Sequence, residues 1–149
     1  INARLDAALP PEFWDALQAE TLKSLATDLL PDPELRALLA GLQRPFCVAS
    51  SGAHDKIRLS LRAANLLDLF EGQIFSAEDV AQGKPAPDVF LLAAKHNIVA
   101  PSQCLVIEDS GPGVAAGQAA GMTTLQYLPG VDGKQANQIQ QLSELLQWL

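Results

Sequence analysis

The stretch QCLVIEDSGPGVAAGQAAGMTTLQYL, Gln103 to Leu128, decides the fold. It opens with a run, Cys104 to Ile107, that is apolar at every position and so reads as a strand buried on both faces of a parallel sheet. Two acids, Glu108 and Asp109, end the run, and Ser110 followed by Gly111 and Pro112 marks the start of a helix. The helix that follows is built almost entirely from Gly and Ala, small enough to pack closely on a sheet. MTTLQYL, Met122 to Leu128, then reads as another strand. Strand, helix and strand in this order form a parallel unit with its helix on one face.

The same alternation extends upstream. Asp32 and Pro33 give an N-cap and a first helical position, followed by Leu35, Leu38, Leu39 and Leu42 at helical spacing. PFCVAS, Pro45 to Ser50, reads as a buried parallel strand, and Ile57, Leu61 and Ala64 return to the helical period. GQIFSA, Gly72 to Ala77, is a second strand-like run, and a helix is predicted from Pro87 to Asn97 with Asp88 as its N-cap. Pro11 to Leu30 reads as a helical segment of mixed apolar and acidic residues, and Phe13 and Trp14 in it are expected to pack in the core, with a cap surface facing the site as the alternative. Downstream, Gly130 to Asn137 is an exposed loop, and Ile139, Leu142, Leu146 and Leu149 predict a C-terminal helix. The fold class is therefore α/β, a Rossmann-like three-layer sandwich with a parallel sheet, whose ligands bind at the carboxyl ends of the strands.

A chain of 149 residues is about one domain's worth, and 48% apolar with 18% charged residues is the composition of a chain that folds. A net charge of -7, with Lys and Arg scattered, argues against nucleic acid or an anionic membrane as partner and leaves small molecules or proteins. No apolar run reaches transmembrane length and no basic leader precedes one, so the expected setting is soluble and cytoplasmic. Cys47 and Cys104 each lie in a strand-like apolar run, which suits buried thiols in a reducing compartment.

Three groups carry candidate chemistry. Ser50 and Ser51, at the end of the first strand, offer a hydroxyl and backbone N–H groups to an anion, or merely cap the next helix. Lys84 in GKPAPD stands before two prolines that could turn it inward as a compact charge, although a lysine in such a turn can equally face water. Glu108 and Asp109, adjacent where a buried strand ends, repel one another unless a hard cation such as magnesium lies beside them; capping explains one acid but not both. In the predicted fold all three fall at one edge of the sheet. Together they suit a phosphate monoester held with magnesium.

The strand ending in ASSG, then GKPAPD, then VIEDSGPGVAAGQAAGM, resembles the haloacid dehalogenase superfamily, in particular its sugar-phosphatase and beta-phosphoglucomutase-like branch, from about Leu30 to Tyr127. The resemblance implies that Ser50, with the backbone of Ser51, holds the transferring phosphoryl group. It implies that Lys84 neutralises that group and holds the acids in place, and that Asp109 with Glu108 binds Mg2+. Gly52 and His54, just beyond the serines, are candidate substrate contacts.

The family also uses an aspartate nucleophile and a second aspartate two residues on, after its first strand, and no DxDG occurs in these 149 residues. Asp55, Asp68, Asp79 and Asp88 do not follow a strand in the required way. The resemblance places that motif upstream, on a central strand between those of Val48 and Val106, and the chain starts at Ile1 with Met122 as its single methionine. An upstream segment is therefore expected, with residues 1–30 the end of a helical cap and 31–149 the core without its first strand. A literal 149-residue chain is expected to be inactive and to self-associate through unpaired sheet edges. The expected function is a magnesium-dependent phosphatase of small phosphorylated metabolites such as sugar phosphates. The alternatives are an inactive remnant that binds phosphate or a partner protein, and a phosphosugar mutase.

Overall fold

The structure is a computed structural model that describes residues 10–131, 133 and 135–149, with the backbone alone for Pro11 and Ala26. Its helices are α1 (Pro11–Thr27), α2 (Pro33–Gly41), α3 (His54–Ala63), α4 (Asp88–His96) and α5 (Gly111–Ala119). Its strands are β1 (Val48–Ser50), β2 (Ile74–Ser76), β3 (Leu105–Glu108), β4 (Thr123–Tyr127) and β5 (Gln138–Ile139).

Every described strand pair is parallel, but the strands form two sheets, β1-β2 and β3-β4-β5. β1 and β3 are both edges. Residues alternate across the first sheet as a pleat requires. Val48 and Ile74 pack with Ile57, Leu61 and Phe70 on the α3 side, while Ala49 and Phe75 pack with α4 on the other. The second cluster also contains Val106 of β3 and Ala116 of α5, so one core joins the two sheets through α4.

Local sequence explains the helix starts. The Asp32 carboxylate accepts from Glu34 N at 2.9 Å and Leu35 N at 3.0 Å, with Pro33 in the first turn of α2. Ser110 Oγ accepts from Gly113 N at 3.1 Å and caps α5. Two glycines let α5 lie on the sheet: a Cβ at Gly117 would stand 2.6 Å from Thr124 Oγ1, and one at Gly113 would stand 2.0 Å from Glu108 Oε2. Asp88 is not the N-cap of α4; Pro87 holds that position, and Asp88 is the first helical residue.

Two further expectations are corrected. The C-terminal apolar spacing does not make one α-helix. Ile139 pairs with Tyr127 in β5 and is 1% exposed, and Leu142–Gln147 is a 3₁₀ segment that buries Leu145 and leaves Leu146 outward. Phe13 and Trp14 do not enter the core: they meet edge to face with centroids 5.5 Å apart and remain 40% and 37% exposed. The described residues of the predicted Gly130 to Asn137 loop are exposed; Asp132 and Lys134 of that loop lie outside the described residues. Cys47 and Cys104 are free, half-buried and packed against the core cluster that joins the sheets.

Candidate active site

The Lys84 side chain joins the carboxyl end of β1 to that of β3. Lys84, brought in by the Gly83 to Pro87 turn with its Lys84–Pro85 peptide cis, is the link. Its side chain is 7% exposed, and its Nζ donates to Ala49 O at 2.9 Å and to Glu108 Oε1. It also lies 4.6 Å from the centroid of the Phe90 ring. One ammonium thus ties the residue before Ser50 to the residue before Asp109. It bridges the two sheets at their carboxyl ends.

Val48 N donates to Gln73 O at 2.9 Å, so backbone alternation turns the peptide groups of Ala49 and Ser51 away from β2. Lys84 meets Ala49 O on that side. Ser50 Oγ accepts from Gly52 N at 3.1 Å, and Ser51 is exposed. Neither serine caps α3, whose N-cap is Ala53.

The two acids are in different states. Glu108 is buried, with Oε1 held by Lys84 and Oε2 accepting from Ser110 Oγ at 3.0 Å. Asp109 is exposed, and its carboxylate has no hydrogen bond among the described residues. No group of three or more metal-ligating side chains occurs among the described residues. Of the two acids only the Asp109 carboxylate is left open to a hard cation of the magnesium type. Such an ion takes one or two carboxylates and completes its shell with water and phosphate oxygens.

Sequence reasoning singled out His54 but missed its partners. His54 N donates to Glu78 Oε2 at 2.9 Å, and His54 Nε2 lies 2.8 Å from Asp79 Oδ1. The imidazole beside it, then the Ser76 N–H, hold the Asp79 carboxyl below the ordinary aspartate range. Ser76 also escaped notice, yet it is fully buried and its Oγ donates to Gly52 O at 2.7 Å. The signal was present in the sequence, since SAED is a capping-box spacing directly after a strand.

A parallel α/β sandwich of this kind takes its ligands at the carboxyl ends of its strands. Residues 1–121 match the family model of the haloacid dehalogenase-like hydrolases, and the chain belongs to that family. It is 40% identical over 117 residues to fructose-1-phosphate phosphatase of Escherichia coli, covering 78% of this chain and 62% of that protein. It is 31% identical over 110 residues to 6-phosphogluconate phosphatase of the same organism, covering 74% of this chain and 50% of that one. The chain spans about half the length of the curated relatives it matches. Among solved structures, a haloacid dehalogenase family hydrolase from Deinococcus radiodurans with bound phosphate and sodium superposes with a TM-score of 0.65 at 29% identity, covering 97% of this chain and 69% of that one. A haloacid dehalogenase-like protein of unknown function from Agrobacterium tumefaciens shares the fold, with a TM-score of 0.79 at 22% identity over 99% of this chain and 72% of its own.

Proposed function

We propose that the protein is a magnesium-dependent phosphatase of small phosphorylated metabolites such as sugar phosphates. The observation that carries this reading is the Lys84 bridge, which joins the Ala49 carbonyl beside Ser50 to the Glu108 carboxylate beside Asp109. It is supported by relatives that are named phosphatases of fructose 1-phosphate and 6-phosphogluconate, and by a structural neighbour that holds phosphate.

In this reading Ser50 Oγ and the Ser51 N–H bind the phosphoryl oxygens, and Lys84 supplies a fixed positive charge where negative charge develops. Asp109, with Glu108 behind it, would hold Mg2+, which when bound neutralises phosphoryl oxygens and helps to align the group for transfer. Glu108 keeps Lys84 aimed, because its carboxylate is already committed to the ammonium and to Ser110. The nucleophile is an aspartate outside these 149 residues. It attacks phosphorus as the P–O ester bond breaks and the metabolite leaves as its free alcohol, and water then hydrolyses the aspartyl-phosphate to release inorganic phosphate. The end of a cap that closes over the substrate is represented among the described residues by α1, which packs on α3.

Release of inorganic phosphate from a panel of sugar phosphates by the full-length protein tests the reading. Turnover is expected to require Mg2+ and to fall by at least about 100-fold in Asp109→Asn, the usual scale for losing a group that stabilises transferring charge. Undiminished turnover in that variant refutes the metal assignment. Movement of the phosphate to another hydroxyl of the sugar, without release, refutes the phosphatase in favour of a mutase.

A further inference from the structure

We infer that Ser76 is a positioning residue for phosphate binding, because the turn it begins sets the conformation of the Ser50 to His54 loop. The inference deepens the phosphatase reading and rests on it. Ser76 ends β2 in register with Ser50, and its side chain is completely buried. As a helix cap it needs an acceptor alone, and Glu78 N uses that at 3.1 Å. The hydroxyl proton goes elsewhere, to Gly52 O at 2.7 Å across the strand pair.

That second bond has a directional consequence. Gly52 N is already held by Ser50 Oγ, so with its carbonyl held by Ser76 both peptide groups of Gly52 are fixed. In a trans peptide the C=O and the next N–H point in opposite directions. A Gly52 carbonyl drawn towards β2 therefore turns the Ala53 N–H away from β2, to the side on which the Ser51 N–H and Lys84 already lie.

The rest of the turn closes the other end of the loop. Glu78 Oε2 accepts from His54 N at 2.9 Å, and Asp79 both accepts from Ser76 N at 2.8 Å and meets the His54 ring. His54 N is thereby taken out of the set of donors open to a ligand. The Ser51 and Ala53 N–H groups are left facing the site.

Titration of the full chain with inorganic phosphate in the presence of magnesium tests this, with circular dichroism as the check on folding. Ser76→Ala is expected to bind phosphate about tenfold more weakly, and Ser76→Thr, which restores the hydroxyl, to recover to within about threefold. Arg36→Ala, which removes the distant bidentate pair with Asp68, destabilises the fold and leaves phosphate affinity at the parent value. Parent affinity in a folded Ser76→Ala overturns the inference. If that variant does not fold, Glu78→Ala decides: a several-fold loss supports the inference, and parent affinity overturns it. A parent chain that binds no phosphate, or a Lys84→Met variant that binds it as well as the parent, overturns the phosphate-site reading itself.

Discussion

Lys84 and Glu108 form an ion pair in the interior, with side chains 7% and 9% exposed, and each also bonds a second partner on a different element. Burying two charges is favourable only when both are paired and their remaining hydrogen-bonding capacity is used. Ala49 O and Ser110 Oγ meet that requirement here. Removing one partner leaves an uncompensated charge, so Lys84→Ala is expected to cost about 3–5 kcal/mol. Lys84→Met combined with Glu108→Gln is expected to cost less than the sum of the two single changes. Urea denaturation of the parent, Lys84→Ala, Lys84→Met, Glu108→Gln and the double variant checks both statements; additive losses contradict the coupling.

At Gly113 α5 lies directly against that pair, since a Cβ there would collide with the Glu108 carboxylate. The clash is with a carboxylate that Lys84 and Ser110 both hold, so it cannot swing aside without breaking one of those bonds. Gly113→Ala is expected to destabilise by about 1–3 kcal/mol although alanine favours helices. Its phosphate affinity is expected to fall with it. A variant as stable as the parent shows that Glu108 has another conformation open to it.

The pH dependence of stability follows from two depressed carboxyls. The hydrogen bonds from Arg36 lower Asp68, and the His54 ring lowers Asp79. A carboxyl whose folded pKa lies below its unfolded value contributes stability above the unfolded value and loses it as pH falls through the folded one. Both contributions are therefore complete above about pH 4 and lost below it. Melting temperature is expected to drop on acidification below that point and to drop less steeply in Asp79→Asn. Equal slopes in variant and parent contradict the role given to Asp79.

Burial, and then the neighbouring Cys104, push the Cys47 thiol up to about 11. At pH 8 roughly one part in a thousand is thiolate, against about a quarter for a free cysteine. Alkylation of Cys47 by iodoacetamide in the native protein is expected to be at least about 100-fold slower than in urea. Peptide mass spectrometry resolves the two thiols. Rapid native labelling of Cys47 contradicts its placement against the core.

The sheet-forming stretches and the site were legible for different reasons. Cys104 to Ile107 and the small-residue helix after it read correctly because burial on two faces and close packing leave few residue types to choose from. Ser50, Lys84, Glu108 and Asp109 could be singled out because each ends a strand or begins a turn, and the sheet brings such positions to one side. Ile139 misled, since its spacing to Leu142 is helical while its backbone pairs with β4 instead. Phe13 and Trp14 misled because an apolar side chain does not state what covers it. SAED marks Ser76 only as a cap, and nothing in that spacing points to its bond with a backbone carbonyl 24 residues away. No local pattern encodes that distance.

In the proposed function Ser50, Lys84 and Asp109 belong to a single site for phosphate and magnesium. Calorimetric titration of the chain with inorganic phosphate, with and without Mg2+, tests it most directly. Mg2+ is expected to tighten phosphate binding by at least about tenfold in the parent, Asp109→Asn to abolish this gain, and Lys84→Met to weaken binding in both conditions. Phosphate affinity indifferent to Mg2+, to Asp109 and to Lys84 would contradict it.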